Sequence, residues 1–319
     1  MNTISPERVI GIDVSRDWLD LHCLPDDRRL RLPNTPDGHQ QMALLSRRRK
    51  ALVCFEATGG QEWRLWAVLD AAGIVTRQLP PAQVKAFAAS LGTRAKTDRI
   101  DAELIARFMV FRPDAGRSHP ARKLRALRAL TAKRGQLVEM RKRLLAQIKA
   151  HEKLGTAELF EDIDTELKIM LNCRISELED RIAQAIAADN EMAETACILR
   201  SIPGIGPVAS AMLLAEMPEL GSIPGEQAAA LAGLAPIARD SGALRGKRAI
   251  AGGRRALRHV LFQAALVAAH HNPTMKAFAQ RLRKAGKAHK VIVTAVARKL
   301  LTIANALCKS RRHWETQTT

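Results

Sequence analysis

Asp98 and Asp101 stand three positions apart in KTDRIDAELIARF, residues 96 to 108, where helical periodicity begins. An i, i+3 spacing puts both carboxylates on one face of a helix. Two further acids sit in apolar, strand-like stretches, Asp13 in VIGIDVS and Glu56 at the end of ALVCFE. A carboxylate inside such a strand needs a partner to offset its lost hydration, and a cation can provide it. Four hard oxygen donors on two strands and a helix start suit one or two Mg2+ ions, which clamp phosphate oxygens in phosphoryl transfer. A structural reading stands beside this one. Asp98 can be the helix N-cap and Asp101 a first-turn acid, both favoured by the positive end of the helix dipole.

A nucleophile candidate lies far downstream, Ser241 in IARDSGALRGKRAIAGG. Arg239, Arg245, Lys247 and Arg248 surround it in sequence, and Gly252, Gly253, Arg254 and Arg255 open the next helix. A serine attacking a phosphodiester needs positive charge and backbone donors for the developing phosphorane, and this stretch offers both. The same Ser-Gly pair also reads as an ordinary turn. Asp240 adjoins the serine but would point elsewhere, so a metal-bound water or a carboxylate of the first domain could act as base. In SIPGIGPVASAM, Gly204 and Gly206 would let amides at a helix N-terminus approach a phosphate, as in a helix-hairpin-helix element, or simply form an αα-corner. The histidines show no ligand spacing, and His270-His271 before Asn272-Pro273 read as a helix C-terminus. Cys23, Cys54, Cys173, Cys197 and Cys308 form no CxxC, which encodes neither a disulfide framework nor a zinc cluster.

The elements needed to position these groups fall into three segments. Residues 1–118 alternate strand and helix signals: three meandering antiparallel strands, then helix, strand, helix, strand, a helix from Pro81 to Ser90, and a helix from Asp98. That order predicts an α/β layer on a mixed central sheet. Residues 119–197 are helical throughout and read as a helical hairpin or coiled coil. Within them, 119–153 hold 11 basic and 2 acidic side chains and 154–197 hold 3 and 11, so antiparallel arms would attract. Residues 198–319 are mostly helical.

The formal net charge is +19, and residues 198–319 alone carry 19 basic against 5 acidic side chains. An excess of that size is the footprint of a polyanion partner, nucleic acid first among them. With no Tyr, strand transfer by a tyrosine nucleophile is excluded; with 7 Phe and 4 Trp, serial base stacking is poorly supplied, so contact should fall on phosphates. The start, MNTISPERVIGIDVS, lacks an export pattern and no apolar run reads as long enough for a bilayer, which predicts a cytoplasmic protein with no membrane partner.

In the order IGIDVSRDWLDL, FEATGG, KTDRIDAELIA, SIPGIGPVASAMLLAE, LAGLAPIARDSGALRGKRAIAGGRRALR and AVARKLL, the chain resembles the DEDD-type insertion-sequence transposases of the insertion-sequence one-ten family, described as bridge-RNA-guided serine recombinases. The resemblance runs from about Val9 to Trp314. It implies a RuvC-like, ribonuclease-H-fold domain whose metal-binding acids are Asp13, Glu56, Asp98 and Asp101, then a coiled coil, then a transposase domain with catalytic Ser241. It also implies a composite site with Mg2+ and acids from another subunit, a dimer assembling to a tetramer, and a bridge RNA that pairs with donor and target DNA. Gln61 departs from the family, where an aromatic residue often follows the acidic-strand motif. Two other readings are open. One is a junction-resolvase-like, Mg2+-dependent nuclease with water as nucleophile; the other is a non-catalytic nucleic-acid scaffold.

Overall fold

The computed structural model describes residues 8–92, 98–237, 240–241, 244–246 and 248–315, without the side chains of 98–100, 240, 244 and 245. The chain divides into two compact units, Met1–Pro120 and Ala121–Thr319. Arg239 and Lys247 lie outside the described residues.

The first unit is a three-layer α/β structure. Strands β1 (Val9–Val14), β2 (Trp18–Leu24) and β3 (Arg28–Pro33) form the antiparallel meander that the sequence predicts. Strands β4 (Leu52–Glu56) and β5 (Thr76–Leu79) add in parallel on the other side of β1, giving the order β3-β2-β1-β4-β5. Side chains alternate across the sheet. Ile10, Ile12, Val14, Val53 and Phe55 pack against α1 (Pro36–Arg49) and α2 (Trp63–Ala71). Val9, Leu52 and Cys54 pack against α3 (Pro81–Ser90) and α4 (Asp98–Phe111). Trp66 is fully buried yet satisfied, because its indole nitrogen donates to Thr76 Oγ1 at 2.7 Å, and Phe55 meets it edge-on.

The second unit is helical. Helices α5 (Arg122–Leu154) and α6 (Glu161–Ala187) form a long hairpin joined through a 3-10 turn, Ala157–Phe160. Bonds from Lys123 to Asp189 and, between the arms, from Arg134 to Glu179 and Arg141 to Asn172 run in opposite chain directions, which makes the pairing antiparallel. Arg134 with Glu179 is an ion pair of the kind that the segregated charge of the arms predicts. Helices α7 (Asn190–Ser201), α8 (Pro207–Glu216) and α9 (Gly225–Leu231) follow. The core closes with α10 (Arg255–His271), α11 (Pro273–Lys284) and α12 (His289–Ser310). As the sequence predicts, α10 ends at His271, and Asn272 caps α11 by accepting from the Met275 amide.

Helix α12 corrects one expectation. It is long and apolar enough by composition to cross a membrane. Ile292, Val293, Val296, Leu300, Leu301 and Ala304 are instead buried against the other helices of the unit, the ordinary position of an apolar core helix.

Between α9 and α10 the chain forms two short ribbons, where the sequence reads as loop. Strands β6 (Pro236–Ile237) and β9 (Ala249–Ile250) pair at the base, and β7 (Asp240–Ser241) and β8 (Leu244–Arg245) pair beyond them. Two-residue strands are too short for an alternation pattern to reveal.

Candidate functional site

Three of the four predicted acids have described side chains, and the elements bring their backbones together. Parallel pairing of β1 with β4 runs from Val9 opposite Leu52 to Ile12 opposite Phe55. One residue further, Asp13 and Glu56 are neighbours at the carboxyl ends of adjacent central strands. By alternation both project to the face that carries Val9, Leu52 and Cys54, the face covered by α4. Helix α4 lies directly on β1 at Gly11: an added Cβ there would stand 2.5 Å from the Ala106 nitrogen and collide with the Ala102 carbonyl oxygen. Cys54 Sγ reaches the carbonyl of Ile105 on the same helix. Asp101 precedes Ala102, so its turn of α4 adjoins that face, and Asp98 opens the helix. Glu103 anchors α4 further by accepting from Arg29 Nη2 at 2.8 Å. Asp13, Glu56 and Asp101 are all half-buried.

All four groups are carboxylates, the donor type that suits a hard divalent cation. Among the described residues, which leave out the Asp98 side chain, no three His, Cys, Asp or Glu side chains are gathered to hold an ion. Asp13, Glu56 and Asp101 are therefore not gathered as a three-carboxylate cluster.

Sequence reasoning missed the groups that surround these acids. Asp20 stands opposite Asp13 across the antiparallel pair, and Arg31 neutralises it through two 2.8 Å bonds. Its motif, DWLDL, shows an acid in a strand and no sign of the arginine on the next strand. Glu62 is 2 % exposed and collects the loop that follows Glu56: its Oε2 accepts from Thr58 N, Thr58 Oγ1 and Gly60 N at 3.3, 2.8 and 3.0 Å. No periodicity in the sequence distinguishes it.

Ser241 is exposed on β7 in the second unit, and Arg248 and Arg255 are exposed as well. The backbone of Arg245 pairs with Asp240 in the outer ribbon. Arg254 has another partner: Glu219 accepts from both terminal guanidinium nitrogens, at 2.9 and 2.7 Å. A cation paired in this way is already neutralised, so its first role is to anchor the ribbons. Burial, the largest single influence, pushes the Glu219 carboxyl up, but the Arg254 hydrogen bonds, a backbone hydrogen bond and the charges of Arg254 and Arg128 together hold the group below its ordinary value. Beside this pair Gly253 crosses Gly233, where a Cβ would stand 2.5 Å from the Gly233 Cα, and Arg258 Nη1 donates to the Gly252 carbonyl at 2.6 Å. The base of the serine-bearing ribbons is thereby clamped to α9 and α10.

The two glycines of the α7–α8 turn separate in role. Gly204 has φ +107, and a Cβ there would stand 2.6 Å from Ala268 Cβ, so close packing on α10 accounts for it. Gly206 is the exposed N-cap of α8, with open space around its Cα and no side-chain cap, which leaves that helix start accessible.

Comparison with known proteins adds independent observations. A model of DEDD-type IS110 transposases matches residues 10–153, and one described as "Transposase IS116/IS110/IS902 family" matches residues 196–280. The chain is 28% identical over 320 residues to the pilin gene-inverting protein of Moraxella bovis, covering 96% of this chain and 97% of the relative. It is 30% identical over 270 residues to the pilin gene-inverting protein of Moraxella lacunata, covering 82% and 81%. Among solved structures, a chain of T. thermophilus RuvC in complex with Holliday junction substrate aligns with a TM-score of 0.26 and 17% identity, over 34% of this chain and 98% of that one.

Proposed function

From the premise that this chain belongs to the IS110 family of transposases, DNA-cleaving and DNA-recombining enzymes, we propose that it exchanges DNA strands through Ser241 with the help of an acidic metal site. The observation that carries the reading is the side-by-side placement of Asp13 and Glu56 under α4, the helix that bears Asp98 and Asp101. We read the first unit as a RuvC-like, ribonuclease-H-type domain on that placement and on its mixed five-stranded sheet. Asp13, Glu56, Asp98 and Asp101 would hold Mg2+, which when bound supplies positive charge to the phosphate oxygens.

In the cleavage step the Ser241 oxygen bonds to phosphorus while one phosphorus–oxygen bond to a deoxyribose breaks. The serine proton leaves to solvent or a base, and the departing oxygen takes up a proton. In the joining step a hydroxyl of the exchanged strand attacks the serine phosphodiester and restores the free serine. No phosphodiester is lost overall. The exposed position of Ser241 and the exposed cations Arg248 and Arg255 suit it to a phosphate arriving from outside. Arg239, Arg245 and Lys247 would add to that charge, and Gly206 at the open start of α8 would receive a backbone phosphate.

Pairing with donor and target DNA by a bridge RNA accords with a chain poor in aromatic residues and rich in phosphate-binding ones. Assembly of dimers into a tetramer is supported by the hairpin, where Leu154, Leu159, Ile163 and Ile169 are each more than half exposed. We place the protein in the cytoplasm with its DNA.

Trapping tests the serine. Wild-type protein with the bridge RNA, labelled donor DNA and Mg2+ should give a denaturation-resistant protein–DNA adduct, and Ser241→Ala should give none. Mg2+-dependent nicking that persists undiminished in Ser241→Ala would instead identify a nuclease that uses water.

A further inference from the structure

The loop after Glu56 contains two successive left-handed glycines, Gly59 at φ +73 and Gly60 at φ +119, so its own backbone does little to fix the end of β4. Glu62 fixes it from outside. Its buried carboxylate gathers the three Thr58 and Gly60 donors on Oε2, and Oε1 accepts from Gln78 Nε2 at 2.7 Å. A buried carboxylate needs such donors to replace its lost hydration.

Gln78, 4 % exposed on β5, continues the chain of bonds. Its Oε1 accepts from Arg117 Nε at 2.6 Å, and its backbone exchanges two hydrogen bonds with Arg117, at 2.9 and 3.0 Å. Donating to a carboxylate at one end and accepting from a guanidinium at the other fixes the amide orientation. Arg117 belongs to the strap 112–120, the last stretch of the first unit before the helical unit begins. That strap is seated firmly. Gly116, at φ +82, lies where a Cβ would be 2.9 Å from the Gln78 carbonyl oxygen, and His119 Nδ1 lies 3.0 Å from Asp70 Oδ2.

We propose that Glu62 and Gln78 are positioning residues for Glu56, linking the loop behind that carboxylate to the strap by which the chain leaves the first unit. How the strap is seated then sets where Glu56 is held. This rests on the reading of Glu56 as a metal ligand.

The test is Mn2+ binding to the full-length protein without DNA, followed by the electron paramagnetic resonance signal of free Mn2+, with melting temperature measured in parallel. Glu56→Gln should abolish the tightest binding. Glu62→Gln and Gln78→Leu should each weaken it about 10-fold, the range seen when partners of ligating groups are removed. Arg117→Gln, at an exposed residue, should weaken it in the same direction with little change in melting, and it carries the test should either buried variant fail to fold. Affinity lost in Glu56→Gln but unaltered in Glu62→Gln, Gln78→Leu and Arg117→Gln would overturn the positioning role alone. Affinity unaltered in Glu56→Gln would overturn the metal reading and the positioning role together.

Discussion

A methyl group at position 11 would collide with the Ala102 carbonyl oxygen and crowd the Ala106 nitrogen, both backbone atoms of α4 that cannot swing aside. The absence of a side chain is what lets this helix, which bears Asp101, settle closely on β1, the strand that bears Asp13. Gly11→Ala should therefore cost about 2 kcal/mol of stability, a typical penalty for overpacking, seen as a lower urea midpoint in equilibrium unfolding. It should also reduce DNA cleavage by more than that loss of folded protein explains, because α4 would be displaced from the acids. Asp13 and Glu56 are legible in the sequence because each interrupts an apolar strand, and that conflict with burial is itself a signal. Gly11 is not. A glycine in a strand signals a close approach in general, but only the structure shows that what approaches it is a helix some 90 residues further on. Asp20 is hidden for a related reason, since its partner Arg31 is adjacent only once β2 and β3 pair.

At the scale of elements, the alternation of strands and helices in the first unit and the long hairpin of the second are legible because each is several residues to several turns long. The serine-bearing ribbons are not, because they persist through what clamps their base rather than through their own pattern. That clamp yields a pH prediction. Glu219 is held below its ordinary value of 4.5 in the folded chain, so its contribution is fully present above that pH and is lost as pH falls through the lower folded value. At neutral pH, Glu219→Gln should destabilise the second unit by about 1 kcal/mol, a figure lowered by solvent screening of a half-exposed pair. The gap between variant and wild type should close in thermal melts taken below pH 4.5. A gap that stays constant across the acid range would show that the Arg254 pair contributes through packing rather than charge. Asn305 is the buried counterpart: it accepts from Gly221 N and donates to the Ile223 carbonyl, both at 2.8 Å, in the turn that follows Glu219. Asn305→Ala should cost about 2 kcal/mol at every pH, because two backbone groups lose their partners and no charge is involved.

Across the whole molecule, charge and core are sorted by position. Residues 241 to 314 contain 17 Lys or Arg and no Asp or Glu, although the same stretch supplies the apolar faces of α10, α11 and α12 that close the core of the second unit. Arg254 and Arg311 pair with Glu219 and Glu194 from outside the stretch; the cations in excess of such partners, excluded from that core, repel one another unless an external anion neutralises them. A duplex backbone does so while releasing its condensed counterions, and that release makes affinity fall with salt along a line whose slope counts the phosphates engaged. If the chain engages six to ten phosphates, its affinity for a duplex should fall roughly 10³- to 10⁵-fold between 50 and 200 mM salt. Fluorescence anisotropy with a labelled duplex measures it directly. The loss should be equally steep for duplexes of unrelated sequence when no RNA is present, because phosphate contacts carry no base information. A slope near zero would mean that the excess cations are only a solvated surface and that DNA is held by other contacts.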